Sequence, residues 1–240
     1  MEEAKTFMEL SSKSSSDEKS GVQSMKRKRG SNVGENEVQY LIQLFFDGGS
    51  RGNPGNAGAG AHIQISRRDK DDTEDDQVIQ IREFCGSKQT NNFAEYTGLL
   101  VGLKEVKKVL DRVCLQIETD CENGEDNKTY TINVEIRGDS NLIMQQLSGT
   151  ASVKKDTLKR LYKQCTDLIA DIRSKATSEV AGESAISLSV DHSHVYRESN
   201  KIADSKFFMK VIYQFGTHLS CCFNHKQNLQ MKPWTNEEAG

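Results

Sequence analysis

Residues 38–47, VQYLIQLFFD, are a dense run of apolar, aromatic and β-branched residues that ends on an acid. The run predicts a strand buried at the centre of a sheet, with a carboxylate at its end. The text that follows, GGSRGNPGNAGAG, is glycine-rich and predicts a bend. Residues 61–66, AHIQIS, and 77–85, QVIQIREFC, alternate as a second and a third strand. The acidic segment 69–76, DKDDTEDD, then forms the tip of a hairpin between them.

Residues 91–110 change to helical period, with apolar positions mostly three and four apart and Asn91 or Asn92 available as a cap. Residues 113–137 hold two alternating stretches, RVCLQIE and TYTINVEIR, split by a second acidic segment that reads as a loop. A short helix is expected over 140–147 and a long one over 154–173. The latter carries Lys154, Lys155, Lys159, Arg160 and Lys163 away from its apolar face. Residues 185–195 alternate as a last strand, and 199–213 predict a final helix. The order β β β α β α α β α is that of an α/β domain, a mixed sheet with helices on its faces.

At 240 residues the chain allows one domain with tails. No stretch approaches 18 consecutive apolar residues, so no membrane span is expected. The opening MEEAKTFMEL is acidic and lacks a long apolar core, which argues against a secretory or transit signal. Six cysteines in no even framework read as reduced thiols. Residues 1–37, with eight serines and balanced charge, cannot bury enough surface to order themselves and read as a disordered tail. Within it, Lys26-Arg27-Lys28-Arg29 suits nuclear targeting, a phosphate-binding arm or mere solubility. The expected location is nuclear or cytoplasmic. The domain boundaries read 38–217 for the folded part and 218–240 for an extension. Segments 69–76 and 118–126 each carry −5, so without them the formal net charge of −3 becomes +7. A basic remainder suits a polyanion, and equally an ordinary surface around two acidic loops.

Four carboxylates stand out by position. Asp47 and Asp139 each end a predicted strand, Glu95 lies in the first turn of the first long helix, and Asp204 lies in the last helix. For any one of them a cap or a solvated strand end is the simpler reading. Several converging on one pocket would repel each other, and hard divalent cations with oxygen ligands relieve that repulsion.

The surrounding motifs are specific. D-G-G-S-R-G-N-P-G at 47–55, T-N-N-F-A-E-Y at 90–96, R-G-D-S at 137–140 and H-V-x-R-x-x-N-x-x-A-D at 194–204 occur in this order. Together they resemble the type 1 ribonuclease H family, in its archaeal and plant-like branch, over roughly residues 38–213. The resemblance implies a five-stranded mixed sheet of order 3-2-1-4-5 with helices on both faces. It implies endonucleolytic cleavage of the RNA strand of RNA/DNA hybrids with two Mg2+ ions, or Mn2+, leaving 5′-phosphate and 3′-hydroxyl ends. By motif, Asp47, Glu95, Asp139 and Asp204 resemble the family's metal-binding quartet, with Asp47 bridging both ions.

Further roles follow from the same resemblance. Gly48, Gly49, Ser50, Arg51, Gly52 and Asn53 would bring backbone close to the RNA strand and its 2′-hydroxyls. Thr90 and Asn91 would form part of a phosphate pocket for the DNA strand, with Asn92 beside the minor groove. His194 is expected to assist in proton transfer or product release, or to be a strand-end structural histidine. Arg197 would approach the phosphates or brace its own turn. No basic protrusion and no separate hybrid-binding domain is legible, and nothing demands more than a monomer.

Other chemistries fit less well. Segment 69–80 lacks the glycine and the last glutamate of a calcium loop, and 48–60 lacks the lysine of a nucleotide-binding loop. His218, Cys221, Cys222 and His225 make a poor zinc set, because adjacent cysteines are unusual ligands for one ion. Two alternatives stay open: another nuclease of the same superfamily, and a non-catalytic nucleic-acid-binding module.

Overall fold

The computed structural model describes residues 36–69, 75–123, 128–175, 185–196 and 200, all within one compact unit spanning 33–240. The elements run β1 (Glu37–Gly52), β2 (Gly55–Arg68), β3 (Asp75–Gln89), α1 (Asn91–Glu122), β4 (Thr129–Gly138), α2 (Asn141–Leu147), α3 (Asp156–Ser174) and β5 (Ala185–His194). The five strands form one sheet in the order β3-β2-β1-β4-β5. β1 pairs antiparallel with β2 and parallel with β4, and β4 pairs parallel with β5. The sheet order expected by resemblance is thus the observed one.

Alternation along the strands decides which face is covered. Val38, Tyr40, Ile42, Leu44 and Phe46 of β1 share one buried cluster with Tyr130, Ile132, Val134 and Ile136 of β4. Residues of α1, α2 and α3 join the same cluster, so the three described helices cover that face. The in-between positions of β4 carry polar side chains, and two of them pair across the sheet. Gln43 Nε2 donates to Glu135 Oε2 at 2.6 Å, and Ser189 Oγ of β5 to Asn133 Oδ1 at 2.8 Å. Of the helix expected over 199–213 only Asn200 is described, and of the tail expected over 1–37 only Asn36 and Glu37, the latter opening β1; the extension 218–240 lies outside the described residues. No helix among the described residues is long and apolar enough to cross a membrane. Cys85, Cys114, Cys121 and Cys165 are free thiols.

Three expectations need correction. The stretch RVCLQIE is not a strand, because α1 runs unbroken for 32 residues, about 48 Å, to Glu122. Val113 and Ile117 are buried and extend the helical stripe of Leu103, Val106 and Leu110. Positions four apart satisfy both periods; the deciding residue is Leu115, which points to solvent and is 63% exposed. Half of the second acidic segment, 118–122, is therefore helix, and the turn comes at Asn123.

The glycine-rich segment is not an open bend. β1 continues to Gly52, β2 starts at Gly55, and the two pair without a break from Gln39 opposite Arg68, through Asp47 opposite Gly60, to Gly52 opposite Gly55. Only Asn53 and Pro54 turn, with Gly52 at φ +81°. Small residues are required here because α1 lies against this end of the sheet. A Cβ on Gly98 would fall 2.9 Å from the Gly60 carbonyl.

The helix cap is Thr90 rather than Asn91 or Asn92. Thr90 Oγ1 accepts from Phe93 N at 3.3 Å, while the Asn91 side chain turns away to the β1–β2 hairpin. Glu95 consequently sits just beyond the first turn of α1, which holds no acid.

Candidate active site

Parallel pairing brings the end of β4 beside the middle of β1. Phe46 is opposite Gly138, so Asp47, still paired with β2, and Asp139, just past the end of β4, lie side by side. Gly138 lies under the Phe46 ring, where a Cβ would come within 2.5 Å of it. Glu95 arrives from the helix above. A Cβ on Gly48 would fall 2.2 Å from the Ala94 carbonyl carbon and 2.3 Å from Glu95 N, so this close approach needs a glycine. The result is a triad. Asp47, Glu95 and Asp139 each offer a carboxylate oxygen, all within 4.8 Å of one another.

Three like charges at that spacing oppose each other by about 3 kcal/mol per pair at an effective dielectric near 20. Asp47 is buried, and the other two are half-buried. Asp47 Oδ1 accepts from Gly48 N at 2.7 Å, which partly offsets the cost. Hard oxygen donors converging this closely fit a divalent cation of the Mg2+ class. Asp204 and Arg197 lie outside the described residues.

His194 ends β5 opposite Gly138, and its Nε2 lies 3.2 Å from the Asp139 carbonyl oxygen. Its ring meets the exposed Tyr196 ring edge-on at 6.0 Å. The structure therefore brings His194 to the edge of the triad. Asn200 carried no role in the sequence reading, although it stands inside the last motif. It is fully buried, and its Nδ2 donates to the Phe46 carbonyl at 3.2 Å and to Asp139 Oδ1 at 3.3 Å. A polar residue amid the motif spacing was the signal available; burial decided it.

The other motif residues form one contiguous edge. Ser50 N donates to Asn91 Oδ1 at 2.8 Å, and Asn91 N donates to Asn53 Oδ1 at 3.3 Å. Ser50 Oγ donates to the Gln89 carbonyl at 2.8 Å. Residues 50–53 of the hairpin and 89–91 before α1 are thus braced together. Asn92 is exposed at the start of the helix.

Sequence comparison places relatives on this frame. Over 132 residues the chain is 32% identical to the bifunctional protein Rv2228c of Mycobacterium tuberculosis, covering 55% of this chain and 29% of that protein. Over 128 residues it is 29% identical to ribonuclease HI of Halobacterium salinarum, covering 53% of this chain and 50% of that one. The chain is a relative of the type 1 ribonucleases H. It spans half or less of the length of these curated relatives. No protein-family model matches it. Among solved structures, it is similar to the N-terminal ribonuclease H domain of Rv2228c at 27% identity, covering 74% of this chain and 97% of that domain. The TM-score is 0.42, so the superposition adds no argument to the sequence match. In this ribonuclease H relative the motif acids Asp47, Glu95 and Asp139 are the residues that converge.

Proposed function

We propose that the chain is a metal-dependent endoribonuclease that cuts the RNA strand of RNA/DNA hybrids, leaving 5′-phosphate and 3′-hydroxyl ends. The observation that carries this reading is the convergence of three motif carboxylates at one end of the sheet. The relation to a protein named ribonuclease HI supports it. In this reading Asp47, Glu95, Asp139 and Asp204 would hold two Mg2+ ions, or Mn2+. Ions so held would supply an activated water and stabilise the departing 3′-oxygen.

The chain's own groups do the rest. The glycines at 48, 49 and 52 let the hairpin backbone approach the RNA strand, where amides and carbonyls meet 2′-hydroxyls. Ser50, Arg51 and Asn53 border the same edge. Thr90 keeps its hydroxyl proton and Asn91 its side-chain NH2 as donors to a DNA-strand phosphate, with Asn92 beside them. Such contacts position without reading sequence, so cleavage is sequence-tolerant. His194, held at the Asp139 carbonyl, assists proton transfer or product release, and Arg197 approaches the phosphates. The Lys26–Arg29 run serves as a targeting or phosphate-binding arm. The protein works as a monomer.

Cleavage of an end-labelled RNA/DNA hybrid in Mg2+ or Mn2+, beside single-stranded RNA, duplex RNA and duplex DNA, tests the proposal. Internal cuts confined to the RNA of the hybrid, absent in Asp139→Asn, are expected. Folded wild-type protein that binds the hybrid without cutting it in either metal would leave a binding module instead.

A further inference from the structure

We infer that Gln146 is a positioning residue for the carboxylate triad, its buried amide fixing the helix that carries Glu95 against the helix that follows Asp139. The inference rests on the metal-site reading above.

Tyr96 is the residue next to Glu95 on α1, and it is fully buried. Its hydroxyl donates to Gln146 Oε1 of α2 at 2.5 Å, in a bond closed to solvent. α2 begins two residues after Asp139. Gln146 is 4% exposed, and its Nε2 donates to the Ser152 carbonyl at 3.2 Å. A carbonyl can only accept, so the amide nitrogen must face Ser152 and the amide oxygen must face the phenol. The phenol hydroxyl is therefore the donor to that amide oxygen. The two ends of one glutamine therefore tie α1, α2 and the connection into α3 together.

An apolar pair of the same size would fill this space with no penalty for burying polar atoms. What the polar pair adds is direction: a slide of α1 along α2 breaks a hydrogen bond that water cannot replace. Glu95 and Asp139 reach the site from these two helix starts, and their oxygens must stay close for an ion to be held. Groups bonded directly to metal ligands typically change metal affinity by 10–100-fold when removed; this pair acts one step further out, through the helices, so the low end applies.

The test uses the full chain and three variants: Tyr96→Phe, Gln146→Leu, and both together. Mn2+ binding is measured by calorimetry without nucleic acid, beside thermal unfolding. Each single variant is expected to bind Mn2+ about tenfold more weakly. The double variant replaces both partners by apolar groups, so its unfolding temperature returns toward wild type while its Mn2+ affinity stays low. Wild-type Mn2+ affinity in the double variant would overturn the inference and make the pair merely structural. Wild-type protein that binds no Mn2+ would overturn the metal-site reading, and this inference with it.

Discussion

Gly98 lies against the backbone of Asp47 so closely that a Cβ on the glycine would fall 2.5 Å from the Asp47 carbonyl oxygen. Both neighbours of that hypothetical atom, the carbonyls of Asp47 and Gly60, are backbone and cannot rotate away. Gly98→Ala must therefore lift α1 off the sheet. The expected cost is about 1–3 kcal/mol of stability, read by urea unfolding. Glu95 sits one turn earlier on the same helix, so metal affinity should fall as well. Unchanged stability would mean that α1 stands farther from β1 than described.

The triad itself should destabilise the metal-free fold. In a chelator, Asp47→Asn is expected to be at least as stable as wild type, because one of three opposed charges is gone. Adding Mg2+ or Mn2+ should reverse the order. Wild type gains about 2.7 kcal/mol at a hundredfold excess over Kd, and the variant gains less. Unfolding midpoints with and without metal check this. Hybrid cleavage by the variant should drop by roughly two orders of magnitude or more.

Asn200 holds Asp139 and Phe46 of β1 together from full burial. Asn200→Ala strands the Phe46 carbonyl and should cost about 1–3 kcal/mol. Asn200→Asp should be worse near neutral pH, because it sets another carboxylate against Asp139. That carboxyl would have its folded pKa raised above the unfolded value. The penalty is then full above the folded pKa and fades as pH falls toward the ordinary carboxylate range. Chemical unfolding of both variants at neutral and acidic pH separates the two effects.

His62 on β2 gives the fold a mild acid sensitivity. It is buried beside Phe45, its Nδ1 lies 3.4 Å from Gln80 Nε2, and burial lowers its pKa below the usual 6.5. Above that value both states are neutral and nothing changes. As pH falls below it, the unfolded chain takes up a proton that the folded chain resists, so stability drops. His62→Gln should flatten this part of the profile. Comparing urea midpoints of wild type and variant between pH 8 and 5 measures the difference.

Much of this was legible in the residues alone. The alternation of Val38, Tyr40, Ile42, Leu44 and Phe46 is a local property of a half-covered strand, and it reads the same in sequence and in structure. The acids at 47, 95 and 139 were visible because each stands inside an ordered set of motifs. Tertiary structure decided what local pattern leaves ambiguous. Val113 and Ile117 satisfy both periods, and only the exposure of Leu115 between them shows which applies. Glycines 48–60 signal a turn by composition, yet Gly48 is needed because the backbone of α1 comes against it, a contact that no local pattern reveals. Asn200 reaching Asp139, and Tyr96 reaching Gln146 across 50 residues, depend on contacts between distant segments. Periodicity records which side of an element is buried, and only packing determines which buried polar atom meets which partner.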